Sequence, residues 1–326
     1  MDVVSTAPAP AAPRPGPLGG AAGLPAARPR WVSRILWANL VAQVVIVVTG
    51  GVVRLTGSGL GCSTWPECEP GQFTPVLHEA VSWHPIIEFG NRTLTGVLGV
   101  IALAVAWVVW RERTRALSVR MLGLVPLVGV AAQAGIGGLT VRGGLHPAIV
   151  GSHFLVSMVL VAASTALLIR HREGDAPAQS LVSERARALG YALLPLVAVV
   201  LALGVVVTGS GPHSGDDDAA YRFALDPAEI SRFHSASVWV YVVAVVALAV
   251  LMRTQTGPRR AVTTLLVVTL LQGLVGYVQY FTDLPPVLVA LHMLGASLLV
   301  IAQVHQTMSM RSRGPVGAGA AVGDDG

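Results

Sequence analysis

Eight long apolar runs, separated by short polar stretches, organise this chain from residue 32 onward. They fall at 32–53, 89–110, 120–140, 146–169, 188–209, 233–252, 261–281 and 286–308. Each approaches or exceeds the roughly 20 apolar residues that carry a helix across the ~30 Å hydrocarbon core of a bilayer. Helices are expected because backbone in lipid must satisfy its own hydrogen bonds. The pattern predicts an all-α integral membrane protein with eight transmembrane helices. Composition agrees, since 53% of the 326 residues are hydrophobic and only 12% charged, far from the balance of a water-soluble domain.

Charge adds an orientation. The chain has no lysine, so all 22 basic residues are arginines. Seventeen of them lie in the N-terminal tail, the loops after even-numbered helices and the C-terminal tail, among them Arg111, Arg113, Arg115, Arg120, Arg170, Arg172, Arg185 and Arg187. Positive residues stay on the cytoplasmic side, which predicts that both termini are cytoplasmic, while Asp216, Asp217 and Asp218 gather outside. The net charge of +5 therefore reports topology and not a nucleic-acid partner. Residues 1–30 and 309–326 read as disordered cytoplasmic tails, and the first lacks the basic-then-apolar order of a signal peptide.

An internal repeat divides the remainder into a four-helix unit at 31–170, a cytoplasmic linker at 171–187 and a second unit at 188–308. Pro147 and Pro286 each precede a histidine, His153 and His292, by six residues, and Gln133 and Gln272 precede the same histidines by twenty. The motif TGSG recurs at 56–59 and 208–211. Four helices per unit give both copies the same orientation, that is, two parallel four-helix-bundle repeats about an axis along the membrane normal.

Ionisable groups within membrane helices are costly and so are functional candidates. The second copy offers His234 and His292; the first offers Asn91 and His153 at the related positions. Two imidazoles on different helices of an apolar bundle suit axial ligation of haem iron, whereas zinc or copper would want further ligands nearby. Interhelical hydrogen bonding is the plainer alternative for each histidine. His153 and His292 lie about 10 Å inside the outer ends of their helices, and His234 and Asn91 begin helices entering from that side. Arg92 and Arg232 stand beside them, either for haem propionates or as interfacial anchors. His84 and His146 are weaker accessories, and His78 and His213 read as loop residues.

The stretch 51-GVVRLTGSGLGCSTWPEC-68, the Glu-x-x-Asn-Arg opening of helix 2 and the single histidines of helices 4, 6 and 8 together resemble the haem A synthase family. The resemblance implies a membrane oxidoreductase that turns a methyl group of haem O into the formyl group of haem A. It also implies a permanent haem b, with its iron, between His234 and His292, and a substrate haem in the N-terminal copy. Expected partners are haem O, haem O synthase (protohaem farnesyltransferase), an electron donor, lipid and a second copy of the chain, in a cell membrane with the haem sites toward the outer leaflet. A non-catalytic dihaem electron-transfer or haem-handling protein is the alternative.

Family members commonly carry histidine where this chain has Asn91, so His153 is left as the expected protein ligand of the substrate haem, with Asn91 and Arg92 completing that site. Either the substrate iron then keeps an open position, or the N-terminal copy has lost its haem chemistry. Glu88, one turn from Asn91 on the same face, is the candidate catalytic residue, a proton carrier during successive hydroxylations; the alternative is an acid favouring a helix N-terminus. Cys62 and Cys68 lie on the oxidising outer face, six residues apart. They read either as a disulfide stapling a lid over the N-terminal site or as a redox-active dithiol. The second copy has no cysteines.

Overall fold

The structure, a computed structural model, describes residues 30–75, 83–213, 215–216 and 221–314. The expectations for residues 1–29 and 315–326, and for His78, Asp217 and Asp218, lie outside the described residues. Eight helices run α1 (Arg30–Leu55), α2 (His84–Arg111), α3 (Leu117–Arg142), α4 (Pro147–Arg172), α5 (Glu184–Ser210), α6 (Pro227–Leu251), α7 (Thr256–Phe281) and α8 (Pro286–Ser309). All eight are long and apolar enough to cross a membrane, so the protein is a multi-pass, all-helical membrane protein.

Several helices begin earlier than the apolar pattern predicts, because caps and not hydropathy end a helix. Asp226 accepts the amide N–H of Ala228 and Pro227 occupies the first turn of α6, a combination that starts helices readily. His234 is therefore seven residues into α6 and not at its mouth. Ser183 caps α5 in the same way through Ala186, and α2 opens at His84 with Pro85 in its first turn. The consequence is a common depth. Asn91, His153, His234 and His292 each stand six or seven residues, about 10 Å, from the start of their helices.

Two closed rings of four helices can be traced through the packing, with α8 also packed closely on the first of them. Within the first, α1 contacts α2 and α4, and α3 contacts α2 and α4; within the second, α5 contacts α6 and α8, and α7 contacts α6 and α8. Helices α2 and α4 thus occupy one diagonal, α6 and α8 the other. The rings meet where α8 lies against α1 and α4, and α4 against α5. An apolar cluster of Leu36, Val105 and Val161 and a smaller one of Leu98, Ala102 and Val130 fill the first ring, and one of Leu193, Val245 and Leu265 fills the second, with Leu201 packed against the first and third of these.

The connections α3–α4 and α7–α8 are the same turn. Gly144 and Leu145 have φ of 56° and 58°, and Asp283 and Leu284 have 58° and 57°. In both turns the leucine amide bonds back to a carbonyl five residues earlier, Leu145 to Thr140 at 2.9 Å and Leu284 to Gln279 at 2.8 Å.

At the arginine-rich end, β1 (Gln179–Ser180) pairs antiparallel with β2 (Arg311–Ser312), so residues 311 and 312, expected in a disordered tail, form a strand. Arg115 donates to the carbonyls of Glu173 and Arg170 and pairs with Asp175, while Arg170 pairs with Glu173 and Asp175. At the opposite end, Arg54 donates to the carbonyls of His213 and Thr208, and the Gly59 amide to that of Gly215, tying the two rings together.

Candidate functional site

The segment between α1 and α2 folds over the end of the first ring. Cys62 and Cys68 form a disulfide, and both are fully buried. Glu88, itself only 5% exposed, holds this loop down: its Oε2 accepts the Cys62 amide N–H at 2.7 Å, and its Oε1 pairs with the Arg92 guanidinium at 2.5 Å. Arg92 also donates to the carbonyls of Thr64 and Glu67. The four-residue spacing of Glu88 and Arg92 puts them on one face of α2, and the pair serves as a charged clamp on the loop.

Trp65 carries the loop onto α3. Its ring lies against Gly138, where a side chain would collide with it, and Arg142 stands 5.9 Å from the ring centroid. The neighbouring glycine, Gly137, faces Cε1 of His153. The disulfide loop thus rests, through Trp65, on the segment of α3 against which His153 packs. His84 lies under the loop, its Nδ1 3.0 Å from the Ser58 hydroxyl.

The four positions at common depth differ in their surroundings. Asn91 accepts a hydrogen bond from the Thr49 hydroxyl of α1 at 2.8 Å. His153, His234 and His292 instead pack by their Cε1 edges against glycines of the preceding helices, Gly137, Gly204 and Gly276. The Nδ1 atoms of all three are buried and reach no hydrogen-bond partner among the described residues. A buried polar nitrogen left in that state costs about 1–3 kcal/mol and calls for a partner. His234 and His292, on the diagonal of the second ring, are close enough to interact electrostatically.

The two glutamines that mark the repeat in the sequence bond to the backbone of two of these histidines. Gln133 donates through Nε2 to the carbonyl of His153 at 2.9 Å and to Ser157 Oγ at 2.5 Å; Gln272 donates to the carbonyl of His292 at 2.8 Å. Their fixed distance from the histidines was the available signal. Thr49, Gly204 and Gly276 gave none, because their partners come from other helices. Arg232 is exposed, and His146 caps α4 by accepting the Ala148 amide.

The residues fit a haem better than a metal ion held by side chains alone. Among the described residues no group of three or more His, Cys, Asp or Glu is gathered for an ion, while a haem asks only for axial bases. His234 and His292 could supply two in the second ring, and His153 one in the first.

Among known proteins, the family model described as cytochrome oxidase assembly protein, COX15-CtaA, matches residues 33–213, more than half of the chain. That stretch holds the disulfide loop, Glu88, Asn91, Arg92 and His153, and ends before His234 and His292. Relatives named Heme A synthase include one from Lysinibacillus sphaericus, 32% identical over 139 residues, covering 41% of this chain and 43% of that protein. One from Bacillus licheniformis is 29% identical over 141 residues, 43% of this chain and 45% of the other. One from Bacillus mycoides is 29% identical over 159 residues, 48% and 49% respectively. The chain thus spans just under half the length of the relatives it matches.

Proposed function

The chain belongs to the cytochrome oxidase assembly protein family, and from that premise we propose that it is a haem A synthase, oxidising a methyl group of haem O to the formyl group of haem A. The observation that carries this reading is the overlap of the family match with the clamped disulfide loop and His153. The two rings are read as copies of one four-helix unit, the first for substrate and the second for a resident haem b.

In the second ring, His234 and His292 would hold the haem b from the two diagonal helices through their ring nitrogens. A haem bound there supplies one-electron transfer. The surrounding apolar helices exclude water, and Gln272 holds the backbone at His292.

In the first ring, His153 would bind the iron of haem O from α4. Asn91 is a poor iron ligand, and its oxygen is engaged by Thr49, so His153 would be the protein base that this ring offers. The loop held by Glu88 and Arg92 would limit solvent access to a haem bound in this ring. Glu88 is the group that would accept or return a proton at Oε1 or Oε2, and doing so weakens its hold on Cys62 or Arg92. Binding geometry and proton movement are thereby linked in one carboxylate.

The arginine-rich end is read as cytoplasmic and the lid end as external, in a cell membrane. Haem O synthase as the donor of substrate, a separate electron donor and self-association complete the expected partners.

Pigment analysis tests the reading. Purified protein should carry b-type haem together with haem O or haem A, and a strain lacking the protein should lose haem A. Bound b-type haem with haem A formation unaffected in that strain, where no second synthase is present, would favour a dihaem electron-transfer protein instead.

A further inference from the structure

A glycine inside a helix costs about 1 kcal/mol relative to alanine, so it has a use where a Cβ would not fit. Gly276 on α7 meets that condition against His292: a Cβ there would stand 3.1 Å from Cε1 and 3.7 Å from Nδ1. Gly204 on α5 stands in the same relation to His234, at 3.2 Å from Cε1 and 3.7 Å from Nδ1. Both distances to Cε1 are tighter than side chains ordinarily tolerate. At Gly137, facing His153, the corresponding distance of 3.6 Å is ordinary contact, and Gly273, one turn from Gly276, faces open space.

The backbone beside each of the two close glycines has a second feature. The backbone of Val200 and of Gln272, each four residues before the glycine, is the hydrogen-bonding partner that faces the His234 and the His292 ring. Nδ1 of each ring is buried and makes no hydrogen bond of good geometry, so the carbonyls of Val200 and Gln272 are the acceptors available to it. Metal-bound histidines characteristically donate their other ring N–H to such an acceptor, which fixes the tautomer and raises the basicity of the ligating nitrogen. A Cβ at either glycine would press on the ring that faces this acceptor.

We propose that Gly204 and Gly276 are positioning residues for a haem held between His234 and His292. Each lets one imidazole lie against a helix backbone and leaves the carbonyl of Val200 or Gln272 as the acceptor for Nδ1–H, so that Nε2 is presented to iron. This rests on the haem reading given under Proposed function. It adds that the ring orientation in the second copy is set by the absence of two Cβ atoms, and that the first copy is under no such constraint.

The test uses the full chain purified in detergent, with low-temperature electron paramagnetic resonance of the ferric state, a redox titration and a thermal melt. Gly204→Ala and Gly276→Ala should remain folded and shift both the largest g value and the midpoint potential of the b-type haem. Gly137→Ala and Gly273→Ala should leave both where the wild type has them. Loss of b-type haem from Gly276→Ala in a protein that still melts cooperatively also supports the proposal. Should one variant fail to fold, the other, on a different helix, decides. Unchanged g values and potential in the folded variants overturn the proposal, as does an equal shift from Gly273→Ala. Wild-type protein without a low-spin b-type haem removes the haem reading itself, a result seen before any variant is made.

Discussion

Glu88 Oε2 accepts the amide N–H of Cys62 at 2.7 Å, so the carboxylate on the second helix and the disulfide of the preceding loop form one unit. With Arg92 on the other carboxylate oxygen, a buried acid is satisfied on both sides, which is what keeps an ionised group tolerable at low exposure. The candidate proton carrier is also the anchor of the lid.

Replacing Glu88 separates the two roles. Glu88→Ala leaves the Cys62 amide and Arg92 without their partner and should cost about 3 kcal/mol, read as a lower melting temperature in detergent. Glu88→Gln keeps an acceptor for Cys62 and should lose less stability. Conversion of haem O to haem A should fail in both; full conversion by Glu88→Gln would show that the carboxylate only holds the loop.

The disulfide closes a loop of six residues, for which chain entropy predicts about 2 kcal/mol of stabilisation. Cys62→Ser with Cys68→Ser should lower the melting temperature accordingly and raise proteolytic cleavage between α1 and α2. The b-type haem of the second ring should be retained. An unchanged melt would remove the structural role of the pair and leave redox exchange as its reading.

Histidine replacements should divide by ring. His234→Ala or His292→Ala should abolish the b-type haem spectrum. His153→Ala should keep that spectrum and lose the co-purified haem O or haem A. If His153→Ala bound substrate haem as the wild type does, the first ring would need another ligand than the one proposed.

Asp283 occupies the backbone position that Gly144 occupies in the other ring, with φ of 58° against 56°. The left-handed region costs a non-glycine residue roughly 1–2 kcal/mol, and Asp283 is exposed. Asp283→Gly should therefore raise stability by up to about 1 kcal/mol, after the flexibility that glycine adds to the unfolded chain. Gly144→Asp, forced into the same strain, should lower it, and the two melts together check the assignment.

Much was legible in one dimension because the causes are local. Hydropathy marks the helices since lipid accepts little else, and six-residue and twenty-residue spacings place Pro147, Gln133 and His153 in one copy and Pro286, Gln272 and His292 in the other. The apolar run places the start of α6 too late because Glu229 and Arg232 interrupt it, while Asp226 and Pro227 set the actual boundary.

The sequence by itself determined eight membrane helices, the depth of the histidines of helices 4 and 8 and the restriction of the cysteines to one half. Only the tertiary structure decided that α6 and α8 share a diagonal, that Arg92 and Glu88 clamp the Cys62–Cys68 loop, and that Gly204 and Gly276 stand against His234 and His292. Periodicity and spacing act within one helix, whereas these contacts join helices, and no pattern along the chain encodes which face of one segment will meet which face of another.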